Sequence, residues 1–202
     1  MSSEGMLLVI SAPSGAGKTT IAKEVLRQFP RFRFSVSATT RKRRPGEVDG
    51  KDYFFLSRDD FEKLLSEDGL VEHEEIYSEY YGTPRSEIDK ALKKGENIVF
   101  DVDVNGALSI KNKYPEAVLI FIKPPSVEAL EERLKGRGSE SAEQIKRRLA
   151  RVPMELEKGR LFDYIIVNDK LEIAVKEVFD IVSMHLSKGD SGKEPLNGTK
   201  AN

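Results

Sequence analysis

Apolar residues run without interruption through Met6-Leu-Leu-Val-Ile10. A continuous run, as opposed to an alternating one, is what a strand buried on both faces of a parallel sheet requires. A Gly-rich turn follows, and from Lys18 the apolar positions Ile21, Ala22, Val25, Leu26 and Phe29 recur at helical spacing until Pro30 stops them. Similar runs at Ile98 to Asp101, Ala117 to Ile122 and Tyr164 to Val167 are separated by helical stretches such as Pro84 to Lys94. Strands that alternate with helices predict an α/β fold around a parallel sheet.

Between the first helix and Ile98 the pattern changes. Phe32 to Ser37, Tyr53 to Leu56 and Leu70 to Tyr77 read as short strands, and Ser57 heads a helix through Ser66 with Asp60 in its first turn. Together they describe a small α+β insertion. Thr83 followed by Pro84 makes a helix start and Gly95 a stop. A second insertion, rich in both charges, carries a capping-box pattern at Ser141 and Gln144, and Pro153 is expected to kink or interrupt its helix. The last helix spans about Leu171 to Leu186. The division is a core of residues 1–35, 84–126 and 161–186, insertions at 36–83 and 127–160, and a tail at 187–202 whose polar composition predicts disorder.

Composition narrows the chemistry. With 202 residues the chain holds roughly 1.3 domains at about 150 residues each, which suits one core with insertions. There is no cysteine, so disulfides, thiolate metal sites and cysteine nucleophiles are excluded, and His73 and His185 are too few for a histidine-built zinc site. Neither a membrane-spanning run nor a secretion signal is read, so a cytoplasmic protein is expected. A formal charge of −1 argues against a broadly basic nucleic-acid binder. That total hides two opposed segments: residues 31–51 carry seven basic and two acidic side chains, residues 52–90 four basic and twelve acidic.

The chemistry-bearing motif is Ser11-Ala-Pro-Ser-Gly-Ala-Gly-Lys-Thr-Thr20, set between the buried strand and the first helix as a phosphate-binding P-loop must be. Backbone amides of Ser14, Gly15, Ala16 and Gly17 converge there on phosphate oxygens, and the helix N-terminus adds its positive end. Lys18 reaches the β and γ phosphates, while Thr19 and Thr20 open the helix and Thr19 offers its hydroxyl to Mg²⁺. Ala12 stands where the literal motif has glycine, a departure that matters only if that position needs a positive φ. Asp101, closing an apolar strand, is where P-loop enzymes place a second residue that supports Mg²⁺. The basic run Arg41-Lys-Arg-Arg44 reads either as a solvated face or as a second anion site, with Arg41 and Arg44 as a phosphate clamp.

With SAPSGAGKTT, SVSATTRKRRPGEVDGKDYFF, LVEHEEIYSEYYGTPR, FDVDVNG, FIKPPS with RLKGRG, and YIIVND in this order, residues 6 to 186 resemble the guanylate kinases. The resemblance implies transfer of the γ-phosphate of ATP to GMP, with Mg²⁺ as cofactor and dGMP also accepted. It implies a three-layer P-loop core, a GMP-binding insertion at 36–83 and a helical lid at 127–160. Glu72 and Asp103 would take the guanine N–H donors, with hydroxyls from Ser37 and Thr83. Arg41, Arg44, Tyr53 and Tyr81 would hold the GMP phosphate. Arg133, Arg137 and Arg148 match lid arginines that reach over the ATP phosphates, against the plainer reading of pairing with neighbours such as Glu132. Asn168 matches an adenine contact, and Asn105 replaces a frequent glutamine.

The acceptor is already anionic, so no strong base is needed, and alignment plus charge stabilisation by Lys18, Arg41, Arg137 and Arg148 would carry the reaction. ATP and GMP are the expected partners, without nucleic acid or membrane, and a homo-oligomer is left open. Three other readings compete: a turnover-deficient guanylate-kinase-like binding module, a kinase for another monophosphate, and a P-loop GTPase. The last is disfavoured because Asn168-Asp169-Lys170 is not the Asn-Lys-x-Asp guanine reader.

Overall fold

In the computed structural model, which describes residues 5–136 and 141–190, the first apolar run becomes β1 (Leu7–Ser11), buried at every position. Leu8 and Ile10 pack on one face of the sheet and Leu7 and Val9 on the other. The chain continues through α1 (Lys18–Gln28), β2 (Phe32–Phe34), β3 (Ala38–Thr39), β4 (Phe54–Phe55), α2 (Arg58–Ser66), β5 (Leu70–Ile76) and β6 (Glu79–Pro84). It then forms α3 (Arg85–Lys94), β7 (Asn97–Asp101), α4 (Val104–Lys113), β8 (Val118–Lys123), α5 (Val127–Gly136), α6 (Ala142–Gly159), β9 (Tyr164–Val167) and α7 (Leu171–Asp190).

The main sheet runs β2-β7-β1-β8-β9, with every pair parallel. Helices cover both faces. Ile21, Ala22 and Val25 of α1 with Ala174, Val178 and Val182 of α7 fill one side, and Ile88, Ala91, Val104, Ala107 and Ile110 of α3 and α4 fill the other. Each fully buried Leu, Ile or Phe contributes roughly 1.5–3 kcal/mol, so this double-sided core is the main source of stability. Strands β7 and β8 flank β1, which brings the loops after β1 and β7 side by side at the carboxyl ends, where open α/β sheets bind ligands.

The second sheet, β4-β3-β6-β5, is mixed and small. Its core holds Ala38, Phe61 and Leu70, with Phe54, Leu56, Leu64 and Tyr80 around them. Phe32–Phe34, grouped by pattern with the insertion's short strands but placed by the division at residue 35 on the core side, pairs with β7 as an edge of the main sheet, with Phe32 buried in the main core.

Local signals at the helix ends are largely realised. Ser57 caps α2 by accepting from the Asp60 amide, and Ser141 and Gln144 form a reciprocal capping box at the start of α6. The third helix begins one residue later than expected, at Arg85, with Pro84 as its cap, because the Thr83 hydroxyl is used elsewhere. Pro153 does not interrupt α6, which runs through it to Gly159. The last helix continues past Leu186 to Asp190, so the expected disordered tail at 187–202 starts too early. Residues 191–202 lie outside the described residues.

Candidate active site

The P-loop is shaped by backbone. Gly17 is the N-cap of α1 with φ 99° and no side-chain cap, which leaves the amides of the first turn directed outward. A side chain there would be strained, and its Cβ would stand 2.4 Å from the Asn168 Nδ2. Ala12 is harmless: among the described residues only Asp68, Tyr77 and Ser78 combine a side chain with positive φ.

Asp101 ties the motif to the neighbouring strand. Its Oδ1 lies 2.7 Å from Lys18 Nζ and its Oδ2 accepts from Thr19 Oγ1 at 2.8 Å. Lys18 also donates to the Val102 carbonyl at 3.0 Å. Burial works against the ammonium charge, but the adjacent Asp101 carboxylate outweighs it and the Lys18 pKa is raised. Lys18 therefore stays a fixed cation at the mouth of the loop.

A single cleft joins this end to the second sheet. Lys18, Asp101, Val102 and Asp103 line its core side, and Ser37, Tyr53, Glu72, Glu74, Tyr81 and Gly82 line the opposite wall. Glu72, buried on β5, accepts from Thr83 Oγ1 at 2.5 Å across the β5–β6 pair. Burial, only partly offset by the Thr83 hydrogen bond and reinforced by Asp103 and Glu74, pushes its pKa up to about 7. Gly106 leaves it room, since a Cβ there would stand 2.7 Å from Glu72 Oε2. Asp103 caps α4 through the Gly106 amide at 2.8 Å, so both carboxylates converge on the head of that helix.

Arg41 lies 5.4 Å above the Tyr53 ring, and Tyr53 packs edge-on against Tyr81. Three of the four residues expected around an acceptor phosphate are thus gathered. Arg44 is exposed, and its contact to the group is through its backbone N–H. Sequence reasoning passed over Glu47, which takes the end of the Arg41 fork at 2.7 and 3.1 Å and accepts from the Arg44 amide at 2.7 Å. The Arg41 hydrogen bond holds the Glu47 carboxyl below the usual carboxylate range. Its place in RPGEVDG, three residues beyond a basic run, was the available signal.

The lid arginines separate. Arg148 on α6 donates to Ser14 Oγ of the P-loop. Arg133 on α5 donates to the carbonyls of Asn168 at 2.9 Å and Asp169 at 3.4 Å. Arg137 lies outside the described residues. Asn168 is buried, with Nδ2 donating to the Ala16 carbonyl at 2.8 Å and Oδ1 without a hydrogen-bond partner among the described residues. Asn105, which replaces a frequent glutamine, does make contacts, and Arg151 escaped sequence reasoning. Asn105 Nδ2 donates to Glu74 Oε1 at 2.7 Å while its Oδ1 accepts from Lys158, and Arg151 pairs with Asp103 at 3.2 Å.

A P-loop facing a carboxylate pocket across one cleft agrees with what the chain is similar to. The family profile "Guanylate kinase" matches residues 4–185. The chain belongs to the guanylate kinase family. The guanylate kinase of Gloeobacter violaceus is 51% identical over 85% of this chain and 84% of its own length. That of Symbiobacterium thermophilum is 44% identical over 89% and 85%. The crystal structure of guanylate kinase from Anaplasma phagocytophilum superposes with a TM-score of 0.73 at 32% identity, covering 91% of this chain and 87% of that one. Among the described residues no helix is long and apolar enough to cross a membrane.

Proposed function

We propose that the chain transfers the γ-phosphate of ATP to GMP, giving ADP and GDP, with dGMP as an alternative acceptor. The observation that carries this reading is the shared cleft, in which Lys18 and Asp101 of the P-loop side face Ser37, Tyr53, Glu72 and Tyr81. One end suits a triphosphate and the other a small anion attached to a base with N–H donors.

The loop amides from Ser14 to Thr20 and the α1 N-terminus hold the triphosphate, and Lys18 stabilises charge on the group in transit. Arg41, Tyr53 and Tyr81, with Arg44 closing in, hold the acceptor phosphate, and Glu47 keeps the Arg41 fork oriented. Glu72 and Asp103 accept from the guanine edge, with Ser37 and Thr83 as hydroxyl partners. A buried polar pocket of this kind rejects a base with misplaced donors by about 10⁴-fold. Arg133, Arg137, Arg148 and Asn168 complete the ATP side. The acceptor oxygen is anionic near neutral pH, so no side chain has to remove a proton from it.

Mg²⁺ fits the residues present. Thr19 Oγ1 and Asp101 Oδ2, 2.8 Å apart beside the loop, are the hard oxygen donors from which Mg²⁺ takes one or two ligands, completing its shell with water and phosphate. When bound it neutralises charge on the phosphate oxygens.

Incubation with Mg²⁺, ATP and GMP followed by ³¹P NMR tests the reading. ADP and GDP are expected in equal amounts. ATP consumption that yields inorganic phosphate without GDP contradicts it.

A further inference from the structure

We propose that Arg151 is a positioning residue for guanine recognition: from α6, in the lid, it holds the Asp103 carboxylate in the orientation the acceptor pocket needs. The inference rests on the assignment of Asp103 to the guanine edge.

Asp103 is among the residues that line the cleft, and Arg151 is not. Arg151 Nη2 lies 3.2 Å from Asp103 Oδ2, and Nε lies 3.7 Å from Glu155 Oε1. The side chains of Arg151 and Asp103 are 22% and 12% exposed, so water screens the pair weakly. The other Asp103 oxygen accepts from the Gly106 amide. Donors on both oxygens fix the plane of the carboxylate. An ionised carboxylate has about four lone-pair sites, which leaves acceptor capacity on the pocket side.

Glu155 accounts for the stance of Arg151. It sits one turn further along α6, buried, and its Oε2 has no hydrogen-bond partner among the described residues. A buried carboxylate that close to a guanidinium restrains it, because an uncompensated charge there is costly. Burial pushes the Glu155 carboxyl up and Arg151 draws it back. Arg151 is thus held on its Nε side by its own helix and presents Nη2 to Asp103.

The same helix face reaches both ends of the cleft. Arg148, three residues earlier, donates to Ser14 of the P-loop. A parallel strut runs from Lys158 through Asn105 to Glu74, another residue of the cleft wall. Placement of α6 over the triphosphate end and alignment of the guanine acceptors are therefore one structural event. Neither Arg151 nor Lys158 has to touch GMP.

The test compares Arg151→Met and Arg151→Lys in the full chain by steady-state kinetics. The Met variant is expected to raise the GMP KM about tenfold, the loss of one charge-assisted contact, with kcat within about twofold and the ATP KM unchanged. The Lys variant recovers most of the loss, since an ammonium also serves Asp103. In an Asp103→Asn background, which preserves the α4 cap, Arg151→Met adds no further rise. If Arg151→Met unfolds the chain, Glu155→Gln decides, with an expected GMP KM rise of about threefold.

A GMP KM within twofold of the parent in the variant that decides overturns the proposal. So does a fall in kcat at unchanged KM, which would make Arg151 a phosphate clamp, and so do additive losses in the double variant. A parent chain that does not convert GMP overturns the assignment of the reaction and this inference with it. A parent that converts GMP while Arg151→Met leaves KM unmoved overturns this inference alone.

Discussion

On the P-loop side of the cleft the groups proposed to face phosphate are mostly backbone: a left-handed Gly17, the open first turn of α1, and one lysine fixed by Asp101. On the side of the second sheet they are side chains, Glu72 on β5 and Arg41 in the loop after the two-residue β3 among them. The P-loop stands on a sheet buried on both faces. The acceptor wall stands on a core of three buried residues and takes part of its order from elsewhere, through Asp103 on α4 and the Asn105 strut. A rigid backbone cradle suits a ligand recognised by charge, whereas a base is told apart by individual donors and acceptors that side chains must supply.

The division between the two ends predicts separable losses. The largest belongs to Lys18→Ala, which should cut turnover by about 10²- to 10³-fold and leave the GMP dissociation constant within about twofold, as measured by calorimetry. A collapse of GMP affinity would mean the two ends are not independent.

Glu72→Gln comes next. It should raise the GMP KM about 10- to 100-fold through loss of a charge-assisted acceptor, with the ATP KM unchanged. Its pH dependence has a definite sign. The carboxyl pKa is raised to about 7 in the unliganded protein, so the acceptor form is lost as pH falls through 7, and the parent GMP KM should climb there. GMP has its own phosphate ionisation near pH 6, and the Gln variant keeps only that lower step. Identical profiles for parent and variant would remove Glu72 from the site.

The smallest effect is expected on the ATP side, from Asn168→Ala. It deletes a buried hydrogen bond to the Ala16 carbonyl worth about 1 kcal/mol, so the ATP KM should rise about fivefold with the GMP KM unmoved. A shift in the GMP KM instead would blur the comparison.

These two ends were not equally legible in the sequence. The run Met6 to Ile10, the glycines at 15 and 17 and the apolar spacing from Lys18 specify strand, turn and helix locally, so the P-loop could be placed from adjacent residues alone. Asp101 followed from its position at a strand end. Strands β3 and β4 span two residues each, too few for any period, and β6 was hidden by the turn-like YSEYYG. Arg41 and Arg44 stood out as one reading of a basic run, whereas Ser37, Tyr53, Glu72, Tyr81, Thr83 and Asp103 were found through resemblance, not pattern. Glu47 was missed although its partners Arg41 and Arg44 lie only six and three positions away, whereas Arg151 and the contacts of Asn105 could not be read because their partners are set by tertiary placement, as with Arg151 and Asp103, 48 positions apart. Thr83 shows the cost of a local signal with two uses: Thr-Pro resembles a helix start, but the hydroxyl is spent on Glu72.

The most direct measurement is ADP formation with Mg²⁺ and ATP in the presence of GMP, AMP, UMP or dTMP in turn, since it tests a triphosphate end and a guanine-reading end at once. Fast turnover with GMP and turnover lower by about 10⁴-fold with the others is the predicted result. Turnover with none of the four, or turnover fastest with AMP, would contradict the assignment of the cleft.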